Sequence, residues 1–279
     1  MSSNPHIEPF HGAHFGLLSL HDKASIIAPL LAECWQARLT NTTAFDTDSL
    51  GTFSGEVERR LSPLECALRK ARLAVELTGA DFGLGSEGSF GSVLWGLSVI
   101  NQELVACVPA RGDWFVVGCH AEPVAVSECQ YGDSEAVARF WSDLPAGQGV
   151  MLIGEGRIAK AVTSRADADA QLAQWYGEQI PPQLRIAYDL RAHQSPLRRL
   201  NIARATTNLL ARMDSRCSVC ALPGFWPDQT ETGLPCGDCG YPTNSARAQV
   251  AHCRGCGYRL STPVTAVYAD PATCPLCNP

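Results

Sequence analysis

Eight cysteines between Cys217 and Cys277 fall into four Cys-x-x-Cys pairs: Cys217/Cys220, Cys236/Cys239, Cys253/Cys256 and Cys274/Cys277. Two intervening residues let both thiolates of a pair turn onto one ion, and two such pairs close a tetrahedral four-sulfur zinc site with bonds of ~2.3 Å. Four pairs therefore predict two metal sites. Fifteen residues separate the first two pairs and seventeen the last two, both suited to ribbon-type sites, so the expectation is sequential sharing, first pair with second and third with fourth, over an interleaved arrangement. Gly240 and Gly257 each follow the second cysteine of a pair, where the turn needs positive φ and backbone N–H groups face sulfur. A closed four-sulfur site leaves no position for water, which makes both zinc ions structural. A segment so poor in apolar residues would draw its folding free energy from metal binding, ~10–16 kcal/mol per zinc.

The remaining five cysteines, Cys34, Cys66, Cys107, Cys119 and Cys129, are scattered singly. The N-terminal stretch has neither the basic nor the apolar region of a signal peptide, and no apolar run reaches the ~18 residues of a membrane span. A cytoplasmic location is expected, where thiols stay reduced and paired cysteines read as metal ligands rather than disulfides.

With 279 residues, 46% hydrophobic and 18% charged, the chain can bury a sizeable core. The composition shift near Arg216 predicts an α/β domain over 1–215 and a zinc-ribbon module over 216–279. A strand is expected over Phe15–Leu20, then a helix presenting Ile26, Ile27, Leu30, Leu31, Cys34 and Trp35, with Pro29 inside it. Ser62-Pro63-Leu64-Glu65 spells a capping box with proline at the first helical position, and Gly79 ends that helix. Further strands are predicted at Phe82–Leu84, Leu104–Val108, Trp114–Val117, Val124–Val126 and Val150–Ile153, with helices at Ser134–Trp141 and from Ser195-Pro196 to about Met213. Alternating helices and strands imply an α/β layer fold with a mixed sheet.

Four polar, glycine-rich stretches at element boundaries are candidate functional loops. Lys23, in His21-Asp22-Lys23, lies where the first strand passes into its helix, so its ammonium and the helix N–H groups would point toward an anion. In Asp46-Thr47-Asp48 through Glu56, carboxylates share a glycine-punctuated loop suited to magnesium. Glu87, in Ser86-Glu87-Gly88-Ser89-Phe90-Gly91, would be presented at a strand end, with the flanking Gly85 and Gly88 marking close approach of the backbone to something. Between Arg191 and Arg212 stand five arginines, His193 and no acid. Of these, Arg191, Arg198 and Arg199 could hold phosphate, whereas Arg204 and Arg212 read as a solvated face.

These motifs resemble a bacterial family catalogued as domain-of-unknown-function family 6671, which shares the His-x-Lys start, the Asp-Thr-Asp to Glu56 loop, the Ser86 to Gly91 stretch, an Asp-x-Arg-Ala segment at Asp189 and a cysteine-rich tail. The resemblance spans nearly the whole chain, with departures at Ala24, Leu190 and Ser195. More distantly, the order of Lys23, Glu56 ahead of a helix containing Arg69-Lys70-Ala71, the segment Asp81 to Gly88, and a late Arg191 is similar to the inosine-triphosphate pyrophosphatase-like fold. That likeness implies that Lys23 binds phosphate, that Glu56 and Glu87 hold magnesium, and that Arg191 with His193 closes on the ligand. Asp46 and Asp48 of the same loop are further magnesium candidates, and Ser86, Gly88 and Arg198 further ligand-binding candidates.

The function expected is magnesium-dependent hydrolysis of a nucleotide or other phosphorylated small molecule, with Glu87 as the best general base and Glu56 beside it. The alternative is a non-catalytic ligand-sensing or interaction protein whose zinc ribbons contact a protein or nucleic-acid partner. A net charge of −6 argues against a surface that grips nucleic acid throughout. In 216–279, Arg216, Arg247, Arg254 and Arg259 are balanced by Asp228, Glu231, Asp238 and Asp270, which favours a packing or protein-contact role for the zinc module over phosphate binding.

Overall fold

The computed structural model describes residues 9–47, 61–93 and 98–279. The chain divides into two compact units, one made of the residues up to Asp113 with Gly118–Leu209, the other of Trp114–Val117 with Leu210–Pro279.

The first unit opens with strand β1 (His14–Leu18), helix α1 (Ala24–Trp35) and strand β2 (Arg38–Thr42). β1 and β2 run parallel, Phe15 opposite Leu39 and Leu17 opposite Asn41, and α1 is the crossover that a parallel pair requires. α1 buries Ile27, Leu31 and Trp35, a four-residue repeat that gives one inward stripe. Trp35 stacks on Phe15 at 5.9 Å.

Helix α2 (Pro63–Thr78) begins as its sequence spells. The Ser62 hydroxyl accepts from Glu65 N–H at 3.3 Å while the Glu65 carboxylate accepts from Ser62 N–H at 2.9 Å, and Gly79 ends the helix at φ 65°. Strand β3 (Phe82–Val93) lies parallel to β1 and antiparallel to β4 (Ser98–Pro109). With β5 (Val116–Val124) they form a five-stranded mixed sheet in the order β2-β1-β3-β4-β5.

Two expectations are corrected here. Trp114–Val117 and Val124–Val126 are not separate strands, since one strand runs from Val116 to Val124. Glu87 does not stand at a strand end: the Ser86–Gly91 stretch lies inside β3, with Glu87 opposite Leu104. The glycines explain the misreading. A Cβ on Gly83 would fall 1.9 Å from the Ala71 carbonyl oxygen, and one on Gly85 1.9 Å from that of Ala67. Both glycines exist so that α2 can lie directly on the strand, and they carry no turn.

The unit's other sheet contains β6 (Glu128–Gln130), β7 (Val150–Gly154), β8 (Arg157–Val162) and β9 (Arg185–Tyr188), antiparallel in the order β6-β9-β7-β8. Helices α3 (Ser134–Ser142) and α4 (Arg165–Tyr176) cover it, joining Val137, Phe140, Ala168 and Leu172 to Val150, Leu152 and Ile186 in one core. β8, β9 and α4 were absent from the sequence reading because each buries too few positions to show a period; α4 buries only Ala168 and Leu172. Helix α5 (Pro196–Asp214) starts at the predicted Ser-Pro step.

In the second unit, strands β10 (Pro227–Thr232), β11 (Ala246–His252) and β12 (Arg259–Pro263) form an antiparallel meander. No helix among the described residues is long and apolar enough to cross a membrane.

Candidate functional site

The meander decides which cysteines meet. Each antiparallel strand reverses the chain, so successive Cys-x-x-Cys turns fall at alternate ends of the small sheet. The first turn meets the third: Cys217 Sγ lies 3.6 Å from Cys256 Sγ, and Cys220 Sγ 3.5 Å from Cys253 Sγ. The second meets the fourth, with Cys236–Cys277 and Cys239–Cys274 both at 3.8 Å. The expected sequential sharing is thereby overturned in favour of the interleaved arrangement.

Within each cluster all four sulfurs lie inside 4.8 Å of one another, and the first cysteine of each turn is buried while the second is exposed. Four convergent thiolates with no oxygen donor match the chemistry of closed structural zinc, and the two clusters suit two such ions. The turns share one geometry. Ala221, Gly240, Gly257 and Asn278 each donate a backbone N–H to the carbonyl of the first cysteine of their turn, at 2.8 to 3.0 Å. Gly240 and Gly257 have φ of 72° and 75°, as their sequence position predicts, and Ala221 adopts 60° without being glycine. Phe225 stacks on Tyr258 at 5.6 Å beside the first cluster.

In the first unit, the sequence-predicted residues Ser86, Glu87 and Gly88 lie on β3, an inner strand of the sheet, and Lys23 reaches Ser86 from the start of α1. Lys23, at the N-terminal cap of α1, is 6% exposed. Its Nζ donates to the Ser86 carbonyl at 3.0 Å and the Ser86 hydroxyl at 3.1 Å. Burial, reinforced by the Arg198 guanidinium, lowers its pKa to about 8, with Glu103 and Glu87 acting in the opposite sense. Next along β3, Glu87 Oε2 accepts from Lys70 Nζ at 2.6 Å and from the Cys66 thiol at 3.5 Å. Lys70 and Cys66 are presented by α2, the helix that the glycines let approach.

Glu103, opposite Gly88 on β4, is fully buried and takes a two-pronged bond from Arg198, Nε to Oε1 at 2.6 Å and Nη2 to Oε2 at 3.0 Å. Asn101 donates to Glu103 Oε1 at 3.1 Å and accepts from Asn201 at 2.9 Å. Glu103, Asn101 and Asn201 escaped the sequence reading, and Lys70 entered it only as part of the Arg69-Lys70-Ala71 helix, with no role. The signal was there for two of them: Lys70 falls in the Ala67, Ala71, Ala74 stripe that α2 buries, and Glu103 directly precedes the apolar run Leu104–Val108.

A second polar group joins two distant motifs. The His21 and His193 rings stack at 5.2 Å. Asp22, left-handed at φ 51°, accepts from Ser25 at 2.8 Å and pairs with Arg199 at 3.4 Å. Asp189 is buried. Burial alone would raise its pKa, but bonds from Arg191 and from Ala161 N–H hold it below the ordinary value. Arg191 Nη2 reaches Asp189 Oδ2 at 2.6 Å. Burial and the neighbouring Arg191 depress His193, whose Nδ1 is buried without a hydrogen-bond partner among the described residues.

The five arginines from Arg191 to Arg212 do not form an unopposed basic strip. They pair with Asp189, two residues before Arg191, and with Glu103, Asp22, Glu122 and Asp228, which lie outside the stretch. Arg198 in particular is 1% exposed. Of the four magnesium candidates, Asp48 and Glu56 lie outside the described residues, Asp46 is exposed, and Glu87 is held by Lys70. Among the described residues, the groups that converge as metal ligands are the two cysteine clusters, so the described donors do not fit a magnesium ion.

Residues 154–279 match the family described as Domain of unknown function (DUF6671). The match takes in both cysteine clusters and the Asp189–His193 segment, whereas Lys23 and Ser86–Gly91 precede it. No curated protein and no solved structure matches the chain, and the likeness to the inosine-triphosphate pyrophosphatase-like fold gains no support from either comparison.

Proposed function

We propose that the first unit binds the phosphate group of a nucleotide or other phosphorylated small molecule, with Lys23 as its central cation. The observation that carries this reading is the use of lysine. The chain holds only three, Lys23, Lys70 and Lys160, and two of them are buried in one cluster at 6% and 9% exposure. Lys70 has Glu87 and Arg198 has Glu103, whereas among the described residues Lys23 contacts only the neutral Ser86. Counted over the described residues, three cations against two carboxylates leave one positive charge in a low-dielectric setting, which an anionic ligand would offset.

Hydrolysis would need further donors, because Glu87 is engaged by Lys70; the stretch holding Asp48 and Glu56 is the place to seek them. Thermal unfolding of the zinc-replete protein against inorganic pyrophosphate, nucleotides and sugar phosphates, with and without magnesium, tests both steps. A phosphorylated ligand at ~100 times its Kd should stabilise the protein by about 2.7 kcal/mol, and Lys23→Met should remove that gain with zinc content unchanged. Phosphate release that needs magnesium and is lost in Glu87→Gln would make the protein a hydrolase; binding without release would make it a sensor. Absence of stabilisation by every compound at millimolar concentration would refute the phosphate reading.

For the zinc unit we infer a protein-contacting role. Arg247 and Arg259 both pair with Glu231, Arg212 with Asp228, and Arg254 lies over the Phe115 ring at 4.4 Å. These internal partners compete with phosphate. Meanwhile Tyr241, Val267, Tyr268 and Leu276 remain exposed on the loops of the second cluster.

A further inference from the structure

Arg198 looks at first like one more phosphate ligand, yet its position suits another task. Its side chain is 2% exposed and that of Glu103 0%. The guanidinium grips Glu103 on β4 with two nitrogens and the Leu190 carbonyl with the third, Nη1 at 2.5 Å. It also lies over the Phe90 ring at 5.9 Å. β3 passes so close that a Cβ on Gly88 would fall 2.2 Å from Arg198 Nη2 and 2.7 Å from both Glu103 oxygens. Gly88 has no positive φ to justify it; the ion pair fills the space a side chain would take.

We propose that the buried Arg198–Glu103 pair is a positioning device, fixing the strand that carries Ser86 and Glu87 against the segment that carries Asp189 and Arg191, so that Lys23 meets its ligand in one geometry. The ligand in this statement rests on the phosphate reading above, but the effect on Lys23 is measurable without any ligand. A buried ion pair is a weak device for stability, since apolar residues of similar volume often serve as well or better. What apolar residues cannot supply is direction: a planar fork with three anchored nitrogens sets the relative placement of three chain segments. The pair also acts on Lys23 electrostatically. Arg198 is the foremost charge lowering its proton affinity, and Glu103 the foremost charge raising it.

The experiment uses the full-length, zinc-loaded protein with ε-carbon-labelled lysine. Three lysines give three resolvable ε-methylene signals, and the pH titration of each reports its charge. Glu103→Gln removes the raising charge, so the Lys23 midpoint should fall, by about one pH unit. Arg198→Lys keeps the charge but loses the fork. Lys23 should titrate near its wild-type midpoint while inorganic pyrophosphate, measured by calorimetry, binds on the order of ten-fold more weakly. The double variant Arg198→Leu/Glu103→Leu should fold and still lose pyrophosphate affinity, which a merely structural pair would not. If the double variant folds with wild-type pyrophosphate affinity, the proposal is overturned. Should it fail to fold, Arg198→Lys decides in its place, and wild-type affinity there overturns the proposal equally. If the wild-type protein binds neither pyrophosphate nor any other compound of the phosphate panel, the phosphate reading falls, and the Lys23 titration in Glu103→Gln then decides whether the pair acts on Lys23: a lowered midpoint supports that coupling and an unmoved one overturns the proposal.

Discussion

The cysteine clusters and the lysine–glutamate cluster both concentrate charge, but they are assembled on different scales. Each thiolate turn is made within four consecutive residues, and a short meander brings two turns together. The other cluster joins residues 63, 17 and 95 positions apart, through the Lys23–Ser86, Lys70–Glu87 and Arg198–Glu103 contacts. Chemistry encoded in local spacing can be recognised before the fold is known, whereas chemistry encoded by tertiary packing exists only after it. The two regions should therefore fail differently. Loss of one ligand pair should unfold a small unit, and loss of one buried charge should alter a site while leaving a large core standing.

The strongest way to break this comparison is to pair cysteine substitutions across and within clusters. Cys217→Ser/Cys253→Ser removes two ligands from one cluster and should cost one zinc per chain. Cys217→Ser/Cys236→Ser strikes both clusters and should cost two. At ~10–16 kcal/mol for each structural zinc, either change should abolish cooperative folding of the second unit at the struck end. Zinc content measured by atomic emission reads the outcome directly, and the reverse pattern, two ions lost in the first variant and one in the second, would restore sequential sharing.

That outcome also shows where sequence reading stopped. Ligand identity and the count of two sites were legible, as were the capping box at Ser62 and the Gly79 stop, because each is a local rule. Site sharing was not, because it depends on β10, β11 and β12. β12 is exposed at all five positions and β10 at all but Glu231, so neither shows the alternation by which strands are recognised. Glycine misled for a related reason. Gly85 and Gly88 do mark close approach, but the neighbour of one is the α2 backbone and of the other the Arg198–Glu103 pair. Steric need for glycine is the same whether the visitor is a ligand or another part of the chain. The arginine-rich stretch misled in the opposite direction, since Glu103, Asp22 and Glu122, which pair with Arg198, Arg199 and Arg204, lie far off in sequence.

A smaller effect sharpens the contrast from the other side. Lys23 has a folded pKa of about 8 against an ordinary 10.5. Between those values the unfolded chain binds more protons than the folded one, so the slope of stability with pH is positive there. The penalty for burying the ammonium is present in full below pH 8 and vanishes as pH rises toward 10.5. It amounts to something on the order of 3 kcal/mol. Lys23→Met should consequently be more stable than wild type at pH 7, with the advantage shrinking to nothing by about pH 10.5 in urea unfolding. A pH-independent difference between the two proteins would show that Lys23 is not a buried ammonium. On the phosphate reading proposed above, a bound anion would offset that expense.

The finest test lies in the turn that departs from its siblings. Ala221 takes φ 60°, where the equivalent Gly240 and Gly257 take 72° and 75°. An L-residue in that region is disfavoured by roughly 1–2 kcal/mol relative to glycine, offset in part because glycine has more freedom to lose on folding. Ala221→Gly should thus stabilise the first cluster by about 0.5–1 kcal/mol, a gain readable as slower zinc release to a chelator from that cluster alone. The corresponding Gly257→Ala should shift the same rate in the opposite direction, because Cys253 and Cys256 hold the other side of the same cluster. If Gly257→Ala instead altered the release of the ion held by Cys236 and Cys274, the interleaved geometry would be wrong at its most local level, and the division between locally written and fold-written chemistry would lose its clearest case.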